Sequence, residues 1–165
     1  MLKYKIGDIC EALAAGDIDA IGHQANCFNT MNSGVAKAIR TRFPEAYEAD
    51  CRTTKGDESK FGDLSLATVC TEFGFGIIYN LYGQYNYGYD AKGYTDYSKL
   101  EQALTAMRDD LLTARDLRSV GFPKIGAGLG GGDWDTIAEI IDRLFSDEFY
   151  VIIYVLGEDD VPGGG

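Results

Sequence analysis

Between residues 126 and 132 the chain reads Gly-Ala-Gly-Leu-Gly-Gly-Gly, followed by Asp133-Trp134. Glycine loses more conformational freedom on folding than any other residue, so five in seven positions persist only where the backbone needs unusual angles or very close approach. The flanks place the stretch between a strand and a helix. Residues 120–125 are a short apolar run, and 133–145 carry Trp134, Ile137, Ala138, Ile141, Leu144 and Phe145 at helical spacing. A loop at such a junction aims its N–H groups and the positive end of the helix dipole at one spot. Its simplest occupant is a phosphate or diphosphate. A tight turn needs one or two glycines, not five.

The rest of the chain narrows the kind of cradle. No Gly-Lys-Ser/Thr occurs, so the loop is not a Walker A element. Gly126, Gly128 and Gly131 satisfy GxGxxG. A dinucleotide fold, however, needs a second βαβ half and an acid about 20 residues on, and only one helix and one strand remain.

Strand-like segments at 4–9, 18–25, 64–72, 76–82, 120–125 and 150–156 alternate with helix-like ones. Val35, Ile39 and Phe43 mark a helix over 33–43 that Ser33 can cap, and Pro44 ends it while opening another over 45–52. Residues 11–16 read as a small-residue stretch and 53–61 as polar loop. Leu100, Ala103, Leu104, Met107 and Leu111 form the clearest amphipathic stripe, over 97–115. This alternation predicts an α/β fold, a three-layer α/β/α sandwich with a mixed central sheet. One domain is expected over 1–157, with an acidic, glycine-rich tail at 158–165 read as disordered.

Charge sets limits on partners. Fifteen Lys and Arg stand against 26 Asp and Glu, a formal charge of −11 with the basic residues scattered. Nucleic acid held by phosphate neutralisation is therefore not expected. No apolar run reaches the ~18 residues a membrane span needs, and none is expected. Cys10, Cys27, Cys51 and Cys70 lie far apart without a CxxC, and there is one histidine. They read as reduced thiols of a cytoplasmic protein, with no metal site and no cofactor. A monomer is expected.

A second constellation runs Gly22-His-Gln-Ala-Asn-Cys27, then Phe-Asn-Thr-Met-Asn-Ser33-Gly34-Val35. It is again a strand leaving the core into a small polar loop that feeds a helix. Facing the glycine loop across one cleft, it would bring a second helix N-terminus to an elongated anion. Asn26, at the strand exit, has an amide able to donate to and accept from a sugar hydroxyl; the alternative is a turn amide bonding its own backbone. Cys27 and His23 are not read as a dyad, because four extended residues separate their Cα atoms by roughly 13 Å. Asp133 reads as the cap of the following helix, and Trp134 as part of its buried stripe. The tyrosines of 83–94 suit either a lid over a ligand or a cover for the end of the sheet.

Taken together, Gly7-Asp8-Ile9, His23 to Asn26, Ser33-Gly34-Val35 and Phe122-Pro-Lys-Ile-Gly-Ala-Gly-Leu-Gly-Gly-Gly-Asp-Trp134 resemble the macrodomains, which bind ADP-ribose. The closest branch groups ADP-ribose 1''-phosphate phosphatases, terminal ADP-ribose glycohydrolases and DNA ADP-ribosyl glycohydrolase antitoxins. The resemblance implies that Asp8 and Ile9 meet adenine, with Tyr154 and Leu156 lining that end. It implies that Asn26, Ser33, Gly34 and Val35 meet the distal ribose. Ile125, Gly126, Ala127, Gly128, Leu129, Gly130, Gly131 and Gly132 would wrap the diphosphate.

Catalytic parts of the branch are missing. Gly83-Gln84 stands where its glycohydrolases carry Thr-Lys, Gly130 where they have a loop aspartate, and Ala36 where the MacroD-type hydrolases have one. An amide cannot do the work of a nucleophilic amine. His23 and Asn26 remain as catalytic candidates, His23 as acid or base and Asn26 as orienter of the sugar. The expected function is hydrolysis of ADP-ribose 1''-phosphate or a related ADP-ribosyl derivative. The alternatives are a non-catalytic ADP-ribose-binding module, glycohydrolysis by a route without lysine, and a remote doubly wound fold for another phosphate ligand.

Overall fold

The computed structural model describes residues 2–88, 93–114, 116–128 and 130–162. In chain order its elements are β1 (Lys3–Ile6), α1 (Ile9–Ala14), β2 (Ala20–Gln24), α2 (Gly34–Arg42), α3 (Pro44–Cys51), β3 (Leu64–Thr71), β4 (Gly74–Leu81), α4 (Tyr97–Leu112), β5 (Ser119–Phe122), α5 (Trp134–Phe145) and β6 (Tyr150–Val155), with single 3-10 turns at Glu58–Lys60 and Glu158–Asp160. The strands form one sheet in the order β1-β6-β5-β2-β4-β3. All neighbours are parallel except β3, which returns beside β4 as a hairpin. Parallel neighbours need crossovers, and the crossover helices cover both faces.

Side-chain alternation sorts the core into two halves. Ala20, Tyr79, Leu81, Val151 and Ile153 face α4 and α5, meeting Leu100, Leu104, Met107, Ile137 and Ile141. Ile21 and Ile78 face the other way, against Leu13 of α1, Ile39 of α2 and Ala46 and Ala49 of α3. The three-layer expectation is met, with α1 to α3 on one face and α4 and α5 on the other.

Several boundaries differ from the periodicity. The first strand stops at Ile6, and the small-residue stretch becomes α1 because the Asp8 carboxylate accepts from the N–H groups of Cys10 (2.8 Å) and Glu11 (3.3 Å). Asp8 with Glu11 is the spacing of a capping box, which marks a helix start even in a short segment. β5 ends at Phe122, since Pro123 has no N–H to continue a ladder. The polar loop contains the Glu58–Lys60 turn, which buries Lys60. Val161 beyond the last turn packs on the α4–α5 side of the core.

β2 and β5 are adjacent and parallel, yet the chain leaves β2 toward α2 on one face and β5 toward α5 on the other. Their carboxyl ends form a topological switch point, where open α/β sheets leave a crevice.

Candidate functional site

A cavity of about 380 Å³ opens at that switch point, within the range of small-molecule sites. Its walls are the end of β2, the loop into α2, the glycine crossing and the start of the tyrosine-rich loop. The structure brings His23, Asn26, Ser33, Gly34, Val35, Ile125, Gly126, Ala127, Gly128 and Gly130 into one lining, together with Gln84, Tyr87 and Asp50. Gly131, Gly132, Asp8, Ile9, Tyr154 and Leu156 lie outside it, and Leu129 lies outside the described residues. Ile9, the first residue of α1, and Tyr154 of β6 are core residues, and Leu156 is 89% exposed.

The glycines divide by cause. Gly126 and Gly131 have φ of 73° and 71°, angles that L side chains rarely adopt. A Cβ on Gly130 or Gly132 would stand 2.7 Å from the Gly126 carbonyl oxygen. Gly128 alone has neither a positive φ nor any atom within 4 Å of where its Cβ would be. Folding of the crossing explains four of the five; neither backbone angle nor packing requires a glycine at 128.

The amides divide too. Gly131 donates to the Ala127 carbonyl (2.7 Å), Gly132 to Gly126 (2.7 Å), Ala127 to Lys124 (3.3 Å) and Ile125 to Pro123 (2.7 Å). Among the described residues the N–H groups of Gly126, Gly128 and Gly130 have no hydrogen-bond partner, and all three residues line the cavity. Asp133 caps α5, its carboxylate accepting from the Thr136 N–H at 3.1 Å, and Trp134 donates to the Tyr4 hydroxyl at 3.0 Å.

Thr95 clamps the crossing. Its N–H donates to the Gly130 carbonyl (2.9 Å) and its hydroxyl to the Gly126 carbonyl (2.7 Å). Gln24 Nε2 donates to Thr95 Oγ1 (2.9 Å) and to Gln84 Oε1 (2.7 Å), and Gln84 Nε2 donates to the Asn86 carbonyl (2.8 Å). The last residue of β2, the tyrosine-rich loop and the glycine crossing are thus joined by side-chain amides. Thr95 and Gln24 escape a sequence reading because their partners are 31 and 71 residues away.

The opposite wall is held differently. Asn26 Oδ1 accepts from the Phe28 N–H (2.8 Å) and its Nδ2 donates to Thr30 Oγ1 (2.7 Å). This is the turn-amide alternative, and it fixes the loop's exit from β2. Ser33 flanks α2 without a side-chain cap bond, and Gly34 has φ of 57°.

His23 sits on the cavity floor, 1% exposed. β2 and β4 run in register with His23 opposite Asn80, and His23 Nε2 lies 2.6 Å from Asn80 Oδ1. Burial pushes the imidazole down to about 4, against the opposing pull of Asn80. It is neutral at physiological pH. Cys27 is buried and its thiol is pushed up to about 11 by that burial, a structural rather than reactive thiol. Two tyrosines of the loop's described part are placed differently. Tyr85 covers the sheet end, donating to the Gly56 carbonyl (2.6 Å) against Phe28, while Tyr87 lines the cavity. Tyr89 to Lys92 lie outside the described residues.

An α/β/α sandwich with a cleft at the switch point, walled by a glycine crossing with unused amides, is the class defined by fold and site. The model of the Macro domain family matches residues 23–141, and the chain belongs to that family. An uncharacterised 17.5 kDa protein from the tk-vs intergenic region of Enterobacteria phage T4 is 33% identical over 154 residues, covering 93% of this chain and 95% of that protein. A DNA ADP-ribosyl glycohydrolase of Mycobacterium tuberculosis is 27% identical over 147 residues, 88% of this chain but 39% of that protein. The chain spans about two-fifths of that relative's length. The solved structure of Thermosipho africanus DarTG in complex with ADP-ribose shares the fold with a TM-score of 0.75 at 18% identity, over 98% of this chain and 43% of that one. Among the described residues no helix is long and apolar enough to cross a membrane.

Proposed function

We propose that the cleft binds ADP-ribose derivatives and hydrolyses a bond at the distal ribose, with ADP-ribose 1''-phosphate or a related ADP-ribosyl ester as substrate. The observation that carries the reading is the set of free N–H groups at Gly126, Gly128 and Gly130, beside a Gly128 that packing does not require. Backbone donors hold a diphosphate without a basic side chain, which suits a chain of net charge −11. The distal ribose then lies between Gly34 of the α2 loop and Asn26, with the adenine carried out toward Asp8 and Leu156. The charge argues against gripping a nucleic-acid backbone, so an adduct would be read through its ADP-ribose.

A second reading, binding without turnover, is favoured by Gln84. Its side chain is fixed by Gln24 and Asn86, and it offers no nucleophile. Phosphate release from ADP-ribose 1''-phosphate, followed beside calorimetric titration with ADP-ribose, separates the two. Turnover supports hydrolysis; micromolar affinity with no release selects the binding module; no affinity for ADP-ribose removes both.

A further inference from the structure

Asp50 contributes the only carboxylate among the described residues of the cavity lining. Ala46 and Ala49 share the buried face of α3 behind the buried Phe43 that precedes it, and Asp50 is an acid set into that apolar stripe, 0% exposed. A buried carboxylate without full pairing is costly, so it persists for a reason. Its Oδ1 accepts from the Tyr82 hydroxyl at 2.6 Å, while Oδ2 is buried without a partner.

Tyr82 is one link of a chain. Its hydroxyl is 2.8 Å from Ser65 Oγ, which is 3.0 Å from Asn80 Nδ2, and Asn80 Oδ1 is 2.6 Å from His23 Nε2. The donors resolve in one direction. Asn80 Nδ2 also donates to the Ala46 carbonyl at 2.9 Å, which can only accept, so the amide oxygen faces His23 and Nε2 carries the hydrogen. Ser65 accepts from Asn80 and gives its own proton to Tyr82, whose proton goes to Asp50. His23 Nδ1 is therefore a bare lone pair, and it too is buried without a partner. Two orphaned acceptors, each left without the hydrogen bond it would have in water, end one five-residue network among the residues that line one cavity.

We propose that Asp50 Oδ2 and His23 Nδ1 hold the attacking water, and that Asp50 is the catalytic base of the hydrolysis. This rests on the reading of the cleft given above. A water donating its two hydrogens to these acceptors keeps its lone pairs for the ligand. The water oxygen bonds to the electrophilic atom of the ester, and the bond from that atom to the leaving oxygen breaks with its electron pair. The water's proton passes to Oδ2 and from there to the leaving oxygen or solvent. Lys60, whose Nζ donates to Asn29 Oδ1 (2.7 Å) and Thr53 Oγ1 (2.8 Å), lies 5.2 Å from the centre of the Tyr82 ring. Burial raises the Asp50 carboxyl while Tyr82 and Lys60 oppose the rise, moving the base toward the working pH.

The test pairs titration with ADP-ribose and single-turnover hydrolysis of ADP-ribose 1''-phosphate, on the parent, Asp50→Asn and Tyr82→Phe. Asn keeps an oxygen for Tyr82 but cannot take a proton. Asp50→Asn is expected to keep the parent's affinity within about threefold and to lose about 100-fold or more in rate, the usual worth of a positioned base. Should Asp50→Asn not fold, Tyr82→Phe carries the test, since it leaves the carboxylate and frees its Oδ1; a rate loss of about threefold to tenfold at unchanged affinity is expected. A parent-like rate in Asp50→Asn, or in Tyr82→Phe where that variant decides, overturns the proposal. So does a parent that binds ADP-ribose and releases no phosphate, which leaves the binding reading intact; a parent that fails to bind removes that reading first.

Discussion

The two crossings that wall the cleft solve one problem in opposite ways. The glycine crossing removes side chains and folds on its own main chain, leaving the N–H groups of Gly126, Gly128 and Gly130 over. The crossing after β2 keeps side chains and uses them as struts: Asn26 to Phe28 and Thr30, Asn29 to the Thr53 carbonyl, and Arg40 back to the Thr30 carbonyl and Asn32. There Asn29 and Met31 take φ of 58° and 44° without being glycine. One wall can approach a ligand with backbone; the other presents a fixed shape to it. The first is recognisable from composition, and the second depends on partners elsewhere in the chain.

The sharpest way to break this contrast is Gly128→Glu. The site of the new Cβ is open, so the fold should persist, while a carboxylate enters the place assigned to the diphosphate. Loss of ADP-ribose affinity by about 100-fold or more is expected, from like-charge contact in a partly dry cleft. Calorimetry showing parent-like affinity would remove the diphosphate from this crossing.

Comparable in size is the pH dependence of His23. Its folded value of about 4 lies under the ordinary 6.5, because burial disfavours the charged ring. The unfolded chain therefore binds the proton first. Stability from the neutral buried ring is complete above about 6.5 and is lost as pH falls through 4, by roughly 3 kcal/mol. Denaturant melts of the parent and His23→Gln at several pH values check this. The parent should lose stability relative to the variant between pH 7 and 4, and a constant difference would mean that His23 is not held neutral.

Gly130→Ala is the structural counterpart of Gly128→Glu. Its methyl would meet Thr95 Oγ1 at 2.5 Å and the Gly126 carbonyl oxygen at 2.7 Å. The crossing must move, so a stability loss of about 1–3 kcal/mol is expected in denaturant melts. Gly128→Ala, with nothing within 4 Å, should stay within about 0.5 kcal/mol. Equal effects of the two alanines would erase the distinction between folding glycines and the one left for a ligand.

These differences also show what could be read from residues alone. The amphipathic stripes of α4 and α5 and the glycine crossing are local patterns, and each became an element at nearly its expected place. The cleft's chemistry is not local. His23 gains its tautomer from Asn80, 57 residues away, and Asp50 its partner from Tyr82, 32 away. Residue type alone leaves Asn26 open between a sugar contact and a turn amide, because its bonds to Phe28 and Thr30 depend on a turn that composition does not specify. An acid at an apolar position of a helix stripe, as at Asp50, was the one available signal for the buried network.

The smallest expected effect concerns Asp8, which belongs to neither crossing and carries two claims at once. Its Oδ1 caps α1, and the proposed placing of the adenine gives its carboxylate a second role. Alanine would confuse the two, because losing a cap costs about 1 kcal/mol by itself. Asn caps as well as Asp, so Asp8→Asn should leave stability within a few tenths of a kcal/mol while replacing one acceptor oxygen by an amide donor. If the free oxygen accepts from the exocyclic amine of adenine, affinity for ADP-ribose falls about threefold to tenfold, the worth of one hydrogen bond at a solvent-facing end. Affinity for ribose 5-phosphate, which has no base, should not change. Unchanged affinity for both ligands would leave Asp8 as a helix cap alone and would place the adenine elsewhere along the rim beyond the glycine crossing.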